Sequence, residues 1–238
     1  DYMTQQARQS AYTGGLSASV GARTSIDDPN TDRHMFTLRG KALARNTDAM
    51  TDMLVRTLAQ ARFDESDRLV ELIAQMRAQD ESRITDIGHQ LALMAAADGM
   101  TPVSSLNEQS SGLTAIADHK ALDAQLHSRT GTDYLRAHFE ALQQALLSAP
   151  RRVAVVSERA HAVDATTAIT EALKHLPPIS SKAARTAAGN GFAPTNLAWV
   201  VNSPVSFCAK VFRAPAQGHA DTPALMVLAQ LLRSNFLH

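Results

Sequence analysis

Between positions 12 and 20 small and apolar side chains fall on alternate residues, Tyr12, Gly14, Leu16, Ala18 and Val20, with Thr13, Gly15, Ser17 and Ser19 between them. A period of two places one set on each face of an extended chain, so this stretch is expected to be a half-buried strand. Asp27, Asp28, Pro29 and Asn30 supply turn residues, and alternation resumes from 34 to 44 with Phe36, Leu38, Gly40 and Ala42 on one face. The two runs predict an antiparallel hairpin.

The period then changes. Asn46 or Thr47 is placed to cap a helix carrying Met50, Met53, Leu54 and Leu58, spaced at three and four residues. Asp64 is placed to cap the next, with Leu69, Ile73 and Met76 followed by Ile84, Ile87, Leu91 and Met94 before Asp98 and Gly99. The pattern fits one long helix or two in line, and Asp80 interrupts the stripe, which favours a break there. Thr101 before Pro102 marks another helix start and Gly112 its end. Two more helices are expected from Leu113, Ile116, Ala117 and Ala124, and from Leu135, Phe139, Leu142 and Leu146, the last closing before Pro150.

A second block opens at Arg151. Val153-Ala154-Val155-Val156 reads as a buried strand, and Val163, Ile169, Leu173 and Leu176 as a helix ended by Pro177-Pro178. A linker rich in Ser, Ala and Gly at 179–191 leads to strand candidates at 196–202 and 205–213, with Asn202, Ser203 and Pro204 as the turn. Thr222-Pro223 opens a helix with Leu225, Leu228, Leu232 and Phe236 on one face. This βαββα order needs helices layered on a sheet, so the expected class is α+β with antiparallel-rich mixed sheets, divided into residues 1–149 and 150–238.

With 238 residues, one or two domains are expected. A formal net charge of +0 provides no surplus of Lys and Arg for a phosphate backbone or an anionic bilayer, so neither nucleic acid nor membrane is an expected partner. Cys208 is the sole cysteine and makes no internal bridge, which fits a reducing, cytoplasmic compartment. Asp1-Tyr2-Met3-Thr4 carries no charged and apolar leader, and Asn235-Phe236-Leu237-His238 stops inside a helical pattern, so both ends are expected to be cuts through a longer chain.

Metallopeptidase motifs on one helix hold two histidines at three or four residues' spacing, so that both imidazoles reach one metal. The histidines at 34, 89, 119, 127, 138, 161, 175, 219 and 238 contain no such pair. His119 with Asp123 and Glu171 with His175 share helix faces, but pairs of this kind read as solvated surface contacts. His89 lies beside the apolar stripe, where a partly buried histidine satisfied by a neighbour is expected. Ser104-Ser105 and Ser110-Ser111 lack the G-x-S-x-G elbow and read as helix-end residues, and Cys208 reads as strand packing. Gly189-Asn190-Gly191 has no P-loop lysine and reads as linker, while Met50, Met53, Met76 and Met94 read as core filling. No catalytic or metal residue is assigned, and no substrate-binding residue is identified.

From Gly40-Lys41-Ala42-Leu43-Ala44-Arg45-Asn46 the sequence resembles the insulinase/pitrilysin family of zinc peptidases, in particular its presequence-protease-like subgroup. Phe63 with Arg68-Leu69 and Leu72-Ile73, Gly88-His89 with Leu91-Ala92, and Glu108 with Gly112-Leu113 resemble successive landmarks of that subgroup's third domain; Thr13-Gly14-Gly15-Leu16 is similar to its preceding strand. The block from Arg151 resembles the opening of the fourth, with 228–238 like its first long helix.

The resemblance implies two homologous-type domains, both incomplete: the remainder of the third at 1–149 and the start of the fourth at 150–238. It implies a segment of a zinc metalloendopeptidase that degrades unfolded peptides, forming part of the substrate chamber. The zinc motif would lie in the first domain of the parent and the substrate-holding Arg and Tyr beyond the last helix here. On this reading the segment carries no cofactor and hydrolyses nothing alone; its partners are the N-terminal half of the parent, peptide substrates and, through cut surfaces, other copies of itself. The alternative is a non-proteolytic interaction or scaffold subunit.

Overall fold

A computed structural model describes residues 2–24, 32–179, 197–201, 204–215 and 218–235. The order is α1 (Tyr2–Tyr12), β1 (Leu16–Thr24), β2 (Asp32–Gly40), α2 (Thr47–Ala59), α3 (Ser66–Asp86), α4 (Gly88–Ala97), α5 (Pro102–Ser111), α6 (Leu113–Leu126), α7 (Arg129–Ser148), α8 (Ala162–Leu173) and α9 (Thr222–Asn235). Single 3-10 turns, Ala44–Asn46 and Arg159–His161, lead into α2 and α8. The chain is α+β: helices predominate, and β1 and β2 form a two-stranded antiparallel sheet.

The hairpin agrees in kind with the alternating pattern and differs in its bounds. Tyr12 ends a helix, where Thr13 N and Oγ1 both bond Gln9 O, and Gly15 takes a positive φ of 119° before β1 begins at Leu16. β2 stops at Gly40, where an added Cβ would lie 2.8 Å from Leu16 Cδ2 and 3.1 Å from Met50 Cγ. The expected turn at 27–30 lies outside the described residues.

The chain divides into two compact units. One takes the described residues of 1–21, 35–71 and 125–184. Here α2 packs against α1, α7 and α8, so it is covered on several sides, and Thr51, Met53 and Val55 are all buried. Val55, Leu147 and Leu176 form one buried cluster, flanked by Leu58, Ala59, Ala172 and Leu173. Ala165 is the buried residue of α8, and its small side chain lets that helix approach α2 closely. Phe63 and Phe139 pack at 5.3 Å between ring centroids. Gln143 Nε2 donates to Leu58 O at 2.9 Å, satisfying a carbonyl at the open end of α2.

The other unit takes the described residues of 22–34, 72–124 and 185–238. Leu91, Leu113 and Ile116 are its buried apolar cluster, with Ile84, Ile87 and Ala95 against them. Thr101 accepts from Ser104 N at 3.0 Å, and Ser104 Oγ accepts from Thr101 N at 2.9 Å, closing the expected cap before Pro102. Gly99 carries the positive φ, 77°, that ends α4's turn.

Several expectations are corrected. The break between the in-line helices falls at Ile87, and α3 runs unbroken through Asp80, whose buried carboxylate is taken up by Arg83 and His119. Asp64 does not cap α3; its carboxylate is taken up by Arg62. Asn46 occupies the capping position of α2, yet its Nδ2 donates to Tyr12 O at 3.1 Å. Leu142 is exposed, and the buried positions of α7 are Thr132, Leu135 and Leu147.

The largest difference is in the second block. Residues 153–156, 197–201 and 205–213 belong to no strand, and Val156 is 98% exposed. A continuous apolar run signals a buried strand only where neighbouring strands take its backbone groups, and the described residues provide none there. Both helices of the block, α8 and α9, are present. The remainder of 196–202, the Asn202-Ser203 turn and Gly189-Asn190-Gly191 lie outside the described residues.

Candidate functional site

Three buried carboxylates concentrate the polar chemistry of the second unit: Asp80, Glu108 and Asp123, at 5%, 3% and 7% exposure. Buried charge is costly unless paired, so the partners decide what the cluster is. Asp80 Oδ2 lies 2.6 Å from His119 Nδ1, and its Oδ1 accepts from Arg83 Nη1 at 2.9 Å. Arg83 Nη2 also donates to Ser111 O at 2.8 Å, so one guanidinium joins α3 to the last turn of α5 while His119 joins α3 to α6. Asp123 Oδ2 lies 3.4 Å from Arg77 Nε, a second tie between α3 and α6.

Glu108 performs a different task. Its Oε1 accepts from Thr114 N at 3.0 Å and from Thr114 Oγ1 at 3.2 Å, which places a carboxylate on the open amides of α6. Gly112 is the only residue between α5 and α6 and has no side chain with which to cap. A Cβ there would come within 1.9 Å of Glu108 Oε2 and 2.7 Å of its backbone oxygen, so this placement of Glu108 requires glycine at 112. Gly88 is explained the same way: the Phe207 ring occupies the place of its Cβ, 2.3 Å away.

An Asp–His contact is also the orienting half of a nucleophilic triad. The missing half is a nucleophile on the outer imidazole nitrogen, and no serine, threonine or cysteine side chain bonds it among the described residues. Arg83 competes for the same carboxylate and anchors to backbone, which suits a tie between helices. Both expected surface pairs are therefore corrected. His119 pairs with Asp80 and not Asp123, whose carboxylate is buried against Arg77; Glu171 meets Lys174 Nζ at 2.6 Å and not His175. The pattern signal for the buried group was an acid on an apolar stripe with Arg three residues on, as at Asp80 and Arg83.

The other singled-out residues scatter. His89 is exposed, its ring 6.4 Å from that of Phe207, and Cys208 is exposed outside any strand. Ser105 Oγ accepts from Gly99 N at 2.9 Å, a helix-end role shared with Ser104. Met53 is fully buried. Between α2 and α3, Arg62 Nε and Nη2 donate to Asp64 Oδ1 and Oδ2 at 3.0 and 2.6 Å; these bonds hold the Asp64 carboxyl below its ordinary value and raise Arg62. Among the described residues no three His, Cys, Asp or Glu side chains converge as metal ligands. Nor, among them, is any helix long and apolar enough to cross a membrane.

The residues that carry the family resemblance thus have structural work in this fold: Gly40 under Leu16 and Met50, Phe63 on Phe139, Gly88 under Phe207, and Glu108 with Gly112. Compared with protein families, residues 1–122 match the model of the region associated with peptidase family M16, subfamily C. Among curated proteins none matches the chain.

Proposed function

This chain belongs to the family of regions associated with M16 peptidases of subfamily C, and from that membership we propose that it is a non-catalytic segment of a zinc metalloendopeptidase of the presequence-protease-like kind. The metal and the residues that activate water belong, on this reading, to the N-terminal half of the parent. Residues 1–149 and 150–238 represent parts of two successive peptidase-like domains, and together they contribute a wall of a chamber that admits unfolded peptides. The observation that carries the proposal is the family match over the very stretch whose landmark residues serve packing and helix ends rather than chemistry.

A second observation supports a role inside a larger assembly. α9 carries one charged residue, Arg233, and Leu225, Met226, Val227, Leu228, Leu231 and Leu232 are all exposed. A helix apolar around most of its circumference is normally covered on several sides. Its partner is the parent's remaining sheet or, in the isolated chain, a second copy; sedimentation should show self-association that Leu232→Lys weakens.

The deciding experiment is an assay of the chain with a quenched fluorogenic unstructured peptide and added zinc. No turnover above background is expected, and co-expression with the zinc-bearing half of the parent should produce chelator-sensitive cleavage. Hydrolysis by the chain alone, with one firmly bound zinc, would refute the proposal.

A further inference from the structure

At the root of the hairpin the end of α1 and the segment after β2 face each other across an open groove of about 430 Å³. That is within the range of small-ligand sites, about 300–1,000 Å³. Three hydrogen bonds tie its walls: Gly14 N to Lys41 O at 2.7 Å, Lys41 N to Gly15 O at 3.3 Å, and Asn46 Nδ2 to Tyr12 O at 3.1 Å. Two of these bonds join main-chain groups of the two walls and the third is donated by the Asn46 side chain, so the walls are tied to each other by their own polar groups.

Side chains then set what it accepts. Tyr12 and Leu43 present exposed apolar surface, and Lys41 and Arg45 present positive charge, with no acidic residue among the lining groups. Elsewhere in this unit Arg8, Arg56 and Arg62 each meet a carboxylate, whereas neither Lys41 nor Arg45 forms an ion pair among the described residues. Asp48 and Asp164 border the neighbouring groove that Arg45 also lines, and neither reaches it as an ion pair. The Lys41 stem lies across Gly14, where an added Cβ would be 3.0 Å from Cε and 3.1 Å from Cγ. Both cations border one groove that no carboxylate lines, so an anion lying in it would meet two positive groups.

We infer that this groove binds a carboxylate, that of the C-terminal residue of an extended peptide. Lys41 and Arg45 take the carboxylate, and Tyr12 and Leu43 contact the terminal side chain. The choice of a peptide as the source rests on the peptidase reading above; the carboxylate chemistry does not.

The test is an NMR titration of the ¹⁵N-labelled 238-residue chain with N-acetyl-leucine, with N-acetyl-leucinamide and with acetate. N-acetyl-leucine should shift the amides of Gly14 and Asn46 and bind about tenfold more tightly than the amide, which offers no charged acceptor, and than acetate, which offers no side chain to Tyr12 and Leu43. The variant Lys41→Gln with Arg45→Gln should lose that preference while its remaining spectrum stays unchanged. Equal binding of acid and amide, or a preference that survives both substitutions, overturns the site. Acetate binding as tightly as N-acetyl-leucine overturns the peptide as source. No response to any of the three overturns the inference and leaves the peptidase reading to the cleavage assay.

Discussion

Around α2 the buried side chains are mostly hydrocarbon: Met53, Val55, Leu147 and Leu176, with Thr51 bonded to its own helix through Asp48 O. Around α3 to α6 a cluster of Leu91, Leu113 and Ile116 shares the interior with Asp80, Glu108 and Asp123. The first arrangement tolerates many apolar sequences of suitable volume. The second is demanding, because each acid is stable only while Arg83, His119, Thr114 or Arg77 stays in place. Helices joined by such contacts gain register, at the expense of tolerance to change.

Met53→Ala should have the largest effect, a loss of about 3 kcal/mol, because a fully buried side chain leaves a cavity. Hydrogen exchange should show the loosening in α2, α7 and α8; equal loosening of α4 to α6 would break the distinction between the two units. Asp80→Ala should cost about 2 kcal/mol, since it strips His119 and Arg83 of a shared partner, and the exchange should rise in α3, α5 and α6. No change in α6 would show that His119 does not hold it.

The smallest effect concerns acid. Asp64 has a folded value below its ordinary 3.8, so its contribution to stability is present above that value and fades as pH falls through the lowered one. Comparing acid unfolding of the unsubstituted chain with Asp64→Asn should show a shallower loss below pH 3.8 in the variant, reduced further by salt because the pair is exposed.

Legibility in the sequence followed the same division. Periodic apolar stripes located α2, α6, α7, α8 and α9, and Thr101, Pro102, Gly99 and Gly112 marked helix ends by backbone chemistry that acts locally. α1 escaped because YMTQQARQSAY has no apolar stripe; Arg8 Nη2 to Asp52 Oδ2, 3.2 Å and 44 residues apart, ties it to α2. In the sequence Asp80 reads as a break and Asp123 as a surface acid, since burial of a charge depends on partners from distant segments. Val153 to Val156 erred in the opposite direction, because β-forming composition does not supply a neighbouring strand. The groove beside Lys41 and Arg45 went unseen: nothing local indicates that α1's last turn returns to face them.

The interleaving of the two units sets an order of events during translation. Residues 72–124 form one uninterrupted stretch of the second unit, whereas the first unit also needs 125–184, which emerge later. On the ribosome, α4, α5 and α6 have their mutual contacts once 124 has cleared the exit tunnel. α2 must wait for α7 and α8, with Met53 and Val55 uncovered in the nascent chain until then. Nascent chains stalled so that residue 124 has just emerged should therefore resist protease across α4 to α6 and be cut within α2, and that interval is where a chaperone would find this protein.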